Sequence, residues 1–194
     1  MRIVAGAWRG RHLVAPSGNT TRPTADRVRQ ALFDTLLHAS WGGRSLIEEA
    51  VVLDAFAGTG AFGLEALSRG ARFAWFCEQD EAALAALRAN IRACKAERRC
   101  EVVTGDLLRL GTSAGARGRK WGDMTPGPAS LVFLDPPYGN GLVPAALRAL
   151  ADHIAPDALV IAELGRDEAW HPDASILDLR RHGAAQIVMF RLGG

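Results

Sequence analysis

Residues 131–138 read Leu-Val-Phe-Leu-Asp-Pro-Pro-Tyr, an apolar run ending in a carboxylate, two prolines and an aromatic ring. Proline fixes φ and carries no N–H. The turn at Asp135, Pro136 and Pro137 therefore presents a carboxylate and carbonyl oxygens, all of them acceptors. Such a set suits a substrate that offers an exocyclic –NH2 group. On a nucleobase this amine is a weak nucleophile, because its lone pair is delocalised into the ring. With its hydrogens on the Asp135 carboxylate and the Pro136 carbonyl, the nitrogen becomes pyramidal and its lone pair can attack a methyl group in line. Tyr138 is suited to stack on a base that has left its own stack. A rigid proline turn is the bland alternative.

A second set of residues could bind the donor. Asp54-Ala55-Phe56-Ala57-Gly58-Thr59-Gly60-Ala61-Phe62-Gly63 lies between a strand pattern and a helix pattern. Its glycines let backbone approach a ligand at a helix N-terminus. Glu78, 20 residues after Gly58, ends the next strand, where an acid can accept ribose hydroxyls. This geometry serves dinucleotides and S-adenosylmethionine alike. Asp54 favours the latter: a carboxylate there opposes a pyrophosphate but suits an ammonium and a sulfonium. The stretch also resembles the D-x-F-x-G-x-G phrase of class I methyltransferases. In that pattern Asp106, after the third strand, accepts from the adenine amine; in isolation it reads equally well as a helix cap.

The elements that must position these residues follow from periodicity. From residue 51 strands and helices alternate: strands over 51–56, 72–77, 101–104, 131–134 and 158–163, and helices over 60–69, 80–94 and 144–153. This pattern predicts an α/β fold with a parallel, doubly wound sheet. The last two strands, 176–181 and 186–192, are joined by a turn too short for a parallel crossover. They make an antiparallel hairpin at the edge of a seven-stranded sheet. Upstream, residues 3–5 and 12–15 suggest a small β-hairpin, and a helix runs from a Thr24 cap to about His38 with arginine outward. Residues 109–129 are a glycine-rich loop.

Length and composition set the class. The chain has 194 residues, 48% hydrophobic and 23% charged, which is ordinary for a globular domain and excludes general disorder. No apolar run is long enough to span a membrane. Residues 1–11 carry three arginines and no apolar stretch, unlike a secretory signal. Three cysteines do not make a disulfide framework, and the histidines show no metal-ligand spacing. A cytoplasmic protein is expected. The net charge is only +2, but residues 1–30 hold Arg2, Arg9, Arg11, Arg22, Arg27 and Arg29 against Asp26 alone. A basic arm on a slightly acidic body is the footprint of a phosphate-backbone partner.

Further stretches make the reading sharper. Ala5-Gly6-Ala7-Trp8-Arg9-Gly10-Arg11, Thr21-Arg22-Pro23-Thr24-Ala25-Asp26-Arg27-Val28-Arg29 and Gly63-Leu64-Glu65-Ala66-Leu67-Ser68-Arg69-Gly70 join the glycine loop and Asp135-Pro136-Pro137-Tyr138. Together they resemble the RsmD-type 16S rRNA guanine-N2 methyltransferases over most of the chain. Gln30, Asp34 and the long 111–129 stretch, with Arg117, Arg119 and Lys120, depart from that pattern without touching the proposed chemistry. The resemblance implies a Rossmann-like class I methyltransferase domain over 46–194, with a basic extension of hairpin and helix over 1–45. It implies that Asp54, Phe56, Gly58 and Gly60, then Glu78, Asp106 and Leu107, bind S-adenosylmethionine. Asp135, Pro136 and Tyr138 would hold the guanine amine, and Arg9, Arg11, Arg22, Arg27 and Arg29 would contact RNA. The implied partner is 16S rRNA in the small (30S) subunit or an assembly intermediate, met by a monomer with no membrane involvement. Guanine over adenine rests on the resemblance alone. A DNA amino-methyltransferase shares the Asp-Pro-Pro-Tyr turn and remains the alternative, with an NAD-dependent oxidoreductase a distant third.

Overall fold

A computed structural model describes residues 1–16, 23–110, 126–137 and 141–193. Strands β1 (Val51–Asp54), β2 (Phe73–Glu78), β3 (Cys100–Thr104), β4 (Ala129–Leu134), β5 (Ile154–Gly165), β6 (Ile176–His182) and β7 (Ala185–Arg191) form one sheet. Their order is β3-β2-β1-β4-β5-β7-β6. The first five run parallel, and β7 pairs antiparallel with both β5 and β6. The tail therefore folds as the expected hairpin, its turn containing Gly183 at φ 59°. Chain order reverses between β1 and β4, the switch point at which ligands of open α/β sheets bind.

Helices α1 (Pro23–His38), α2 (Ala61–Ser68), α3 (Glu81–Cys94), α4 (Leu107–Leu110) and α5 (Leu142–Ala149) cover the sheet. Alternation along the strands divides the core in two. Val52, Phe76, Phe133 and Ile161 face Phe33 and Leu36 of α1, Leu64 of α2 and Leu87 of α3. Leu53, Trp75, Val132 and Val160 face the other way, with Leu107 of α4 and Val143 of α5. Each fully buried side chain of this size contributes roughly 1.5–3 kcal/mol of transfer free energy.

Several boundaries differ from expectation. Helix α1 starts at Pro23, so Thr24 lies in its first turn rather than capping it. Proline fits this position because the first helical N–H has no intrahelical partner to lose. The helix expected over 144–153 ends at Ala149 and is followed by a 3-10 turn, Ala151–His153. β5 is longer than the apolar run that revealed it, and α4 is too short to show a period. Most of the 109–129 loop lies outside the described residues.

The N-terminal hairpin shrinks to one bridge, Arg2 with His12. Ile3 and Leu13 N–H donate across it to the Arg11 and Met1 carbonyls, while donors between them are taken by α2. Val4 and Ala5 N–H groups donate to Glu65 Oε2 and Oε1 at 2.7 and 3.0 Å, and Trp8 N–H donates to Ser68 Oγ at 2.9 Å. Gly6 allows this contact: at φ 81°, a Cβ there would sit 1.9 Å from the Ser68 carbonyl oxygen. Ile3 and Leu13 are buried in the same core as α1 and the sheet.

Candidate active site

Five carboxylates stand at the carboxyl ends of five neighbouring strands: Asp106 after β3, Glu78 on β2, Asp54 on β1, Asp135 after β4 and Glu163 on β5. Parallel register makes this row. Glu78 pairs with Thr104, Asp54 with Phe76 and Phe133, and Leu134 with Ala162. A groove of about 470 Å³ opens beside it, lined by Phe56, Cys77, Glu78, Asp106, Leu107, Asp135 and Pro136 among others.

Each acid is held differently. Glu78 Oε2 accepts the Gly58 N–H at 2.8 Å, and Oε1 accepts those of Gln79 and Asp80 at 2.7 and 2.8 Å. A carboxylate has about four acceptor positions, so Oε2 retains one for a ligand hydroxyl. Asp106 Oδ1 accepts the Leu108 N–H at 3.0 Å, starting α4, and Oδ2 lies 3.5 Å from Arg109 Nε. Asp54 sits behind the groove wall, 1% exposed, with Oδ2 accepting the Gly63 N–H at 2.9 Å. That bond closes the turn from β1 into α2. Burial, opposed by the Gly63 bond and reinforced by Asp135 and Glu78, pushes the Asp54 carboxyl up to about 8. Asp135 is exposed at the groove mouth, yet surrounding protein desolvates it and Glu163 repels it, raising its carboxyl to about 7.

The glycines divide their work. Gly58 takes φ 53° with open space where a Cβ would project, leaving its outer side to a ligand. Gly60 takes φ 77°, and a Cβ there would meet Leu87 Cδ1 at 2.4 Å. Gly63 is a packing glycine, since its Cβ would lie 2.3 Å from the Phe76 ring. The N-terminus of α2 is therefore pulled tight against β2, with the turn running over the groove.

This groove suits S-adenosylmethionine. Its acidic edge opposes a pyrophosphate and favours a cationic ligand, while Phe56 and Leu107 offer apolar surface to a flat ring. The structure thus brings together Phe56, Glu78, Asp106, Leu107, Asp135 and Pro136 on one wall, with Asp54, Gly58 and Gly60 shaping it from behind. Tyr138 and Arg22 lie outside the described residues.

The expected RNA contacts separate. Arg9, Arg11 and Arg27 are exposed. Arg29 is 2% exposed and is withdrawn from that set. Its guanidinium donates to Asp26 Oδ1 at 2.9 Å and to the Arg2 carbonyl, and Nε lies 3.6 Å from Glu65 Oε2. Glu65, fully buried, also accepts from Arg69 Nε at 2.8 Å. Arg69 and Arg29 together supply the counter-charge that lets Glu65 hold the arm; a run of arginines does not reveal which one turns inward. Trp8, between the arginines of the arm, is half-buried with the Arg99 guanidinium 5.8 Å from its centroid. Sequence reasoning missed Glu65, Asn90 and Glu163. Only Glu163 had a signal, as an acid ending a strand beside the Asp135 turn.

The chain matches the family described as Conserved hypothetical protein 95 over residues 1–192. It is 34% identical over 194 residues to ribosomal RNA small subunit methyltransferase D of Escherichia coli, covering 99% of this chain and 88% of that protein. The protein of the same name from Haemophilus influenzae is 32% identical over 176 residues, 87% of this chain and 80% of the relative. The solved structure of Escherichia coli yhhF superposes with a TM-score of 0.78 at 33% identity, covering 99% of this chain and 97% of that one. The strand order, the acidic groove and the end-to-end match agree: the chain belongs to this family and is an S-adenosylmethionine-dependent methyltransferase of the RsmD type.

Proposed function

We propose that the protein methylates the exocyclic N2 amine of one guanine in the 16S rRNA of the small (30S) ribosomal subunit or its assembly intermediate. The observation that carries this reading is the position of the Asp135–Pro136 acceptor turn, on the wall of the donor groove at the switch point of the sheet. S-adenosylmethionine supplies a methyl group on a sulfonium sulfur, so making the N–CH3 bond breaks the S–CH3 bond and leaves a neutral thioether. Glu78 orients the donor through its ribose and Asp106 through its adenine, while Asp54 sets negative charge behind the cationic end. Asp135 and the Pro136 carbonyl each accept one N2 hydrogen, which turns the nitrogen lone pair toward the groove. Once the new bond acidifies the amine, Asp135 is the nearest base for the departing proton. Arg9, Arg11 and Arg27 hold the phosphate backbone without reading sequence.

The names of the curated relatives support the rRNA substrate, and the exposed arginines of the arm support a nucleic-acid partner. Among the described residues no helix is long and apolar enough to cross a membrane. The direct test incubates the protein with methyl-labelled S-adenosylmethionine and small subunits lacking the modification, then separates nucleosides. Label is expected in N2-methylguanosine. Label in N6-methyladenosine, or on DNA only, would replace the proposed target while keeping the amine chemistry.

A further inference from the structure

Helix α3 meets the donor groove at one end only. Its cap, Asp80, lines the groove, whereas Lys95 at the other end lies about 20 Å away at 1.5 Å per helical residue. That far end is strongly basic. Residues 88–99 hold Arg88, Arg92, Lys95, Arg98 and Arg99 against Glu97 alone, in a chain whose net charge is only +2. Arg88, Arg92 and Lys95 follow one another at helical spacing on one exposed face. Arg98 is exposed on the 3-10 turn Glu97–Arg99 that comes next.

The arm joins the same surface. Arg11 donates through its guanidinium to the Ala93 carbonyl. Arg99 donates to the Leu67 carbonyl at 3.1 Å, and its guanidinium lies over the Trp8 ring. Residues 2–12 bring Arg9 and Arg11 and contain no acid. Arg9, Arg92, Lys95 and Arg98 form no ion pair among the described residues. Like charges three and four residues apart oppose helix formation. The helix dipole favours Arg92 in the last turn, but it has no hold on Arg9, Arg11 or Arg98. Cations gathered from two distant segments, without acids between them, complement a polyanion.

We propose that the far end of α3, the turn after it and the arm form one anchoring surface for the rRNA phosphate backbone, remote from the target base. This rests on the rRNA reading above and adds Arg88, Arg92, Lys95 and Arg98 to its contacts. Phosphate contacts fix register and orientation without reading sequence. A base in the groove and a backbone held about 20 Å along α3 must belong to one folded RNA, so the anchor selects the shape around the target. A short strand carrying only the target would leave it empty.

The test compares wild-type protein with the triple variant Arg92→Ala, Lys95→Ala, Arg98→Ala on small subunits lacking the modification. KM for subunits should rise at least about tenfold, and the plot of log affinity against log salt should flatten by about 2.1–2.7 units, 0.7–0.9 per lost phosphate contact. The loss should fall on KM, with kcat and S-adenosylmethionine affinity within about twofold of wild type. Tm should stay near wild type, because all three side chains are exposed. Arg148→Ala with Arg191→Ala, on α5 and β7 across the sheet from α3, is the charge control and should keep the slope. An unchanged slope in the triple variant, or equal flattening in the control, would overturn the anchor while leaving methyl transfer standing. A higher KM with the slope kept would overturn it too, assigning the surface to a protein of the subunit. Wild-type protein that labels no RNA would remove the rRNA reading and this inference with it.

Discussion

Asn90, fully buried in α3, donates to the Thr59 carbonyl in the glycine loop at 2.9 Å. The same amide donates to the Val14 carbonyl at 2.9 Å and accepts the Val14 N–H at 2.7 Å. One side chain thus fastens the end of the basic arm and the turn over the donor groove to one helix. Thr59 Oγ1 also reaches Met1 Sδ at 3.5 Å, so the turn lies between α3 and the start of the arm. The arm and the glycine turn thus share a physical link through these contacts.

Replacing Asn90 with Ala leaves three backbone partners without their side-chain bonds. With net values near 1 kcal/mol per bond and some recovery by water at exposed Val14, the loss should be about 2 kcal/mol. At this chain length that lowers Tm by roughly 4–8 °C. The variant should also bind S-adenosylmethionine more weakly, because Thr59 is released. Thermal unfolding with and without the donor tests both parts. A lower Tm with unchanged donor affinity would separate the arm from the turn.

The two arginines of α1 should behave oppositely. Removing Arg29 leaves Glu65 with Arg69 as its remaining counter-charge and takes the donor from Asp26 and the Arg2 carbonyl, a loss of about 1.5–3 kcal/mol, the range for a hydrogen bond to a charged group. Arg27→Ala should leave Tm nearly unchanged. Combined with Arg9→Ala, it should weaken RNA binding and flatten the plot of log affinity against log salt by up to about 1.8 units, near 0.7–0.9 per lost phosphate contact. An unchanged salt slope would take the exposed arginines out of the interface.

The strands, the groove and the acceptor turn were legible because apolar strings ending in Asp54, Glu78 and Asp135 are local signals, whereas the order of the strands was not. Arg29 and Glu65 were not. Their pairing spans 36 positions and depends on how α1 and α2 meet, which no single window contains. The arm failed as a regular hairpin for a related reason: its N–H groups at Val4, Ala5 and Trp8 are satisfied by side chains on α2. Periodicity reports which residues prefer burial, while the partners of buried polar groups are set by packing between distant segments. Glu163 shows the same limit, since its importance comes from lying abreast of Asp135.

Asp135 must be ionised to take the departing proton, and burial and Glu163 push its carboxyl up to about 7. The rate at low substrate concentration should therefore rise with pH through about 7 and level off above it. Asp135→Asn keeps the shape but lacks the charge and the proton acceptor. Turnover should fall at least about 100-fold, the lower range for general acid–base contributions, with donor affinity largely kept. An equal fall in donor affinity would assign Asp135 to the donor pocket. A pH profile that is flat between about 6 and 8 would remove the charge requirement.

Asp54 gives a second pH effect of opposite sense for the empty protein. Its carboxyl is pushed up to about 8 in the fold, against about 3.9 in an unfolded chain. The unfolded state thus releases this proton first, and Asp54 makes the ligand-free protein less stable as pH rises from about 4 to about 8. A cationic donor bound near Asp54 favours the ionised form, so its binding should release a proton and tighten with pH up to about 8. Asp54→Asn keeps an acceptor for the Gly63 N–H and removes the charge. The variant should have a higher ligand-free Tm than wild type at about pH 8, and weaker donor binding with little pH dependence. Calorimetric titrations in buffers of different ionisation enthalpy measure the released proton directly. Proton release that persists in Asp54→Asn would assign the linkage to another of the acids on the sheet edge.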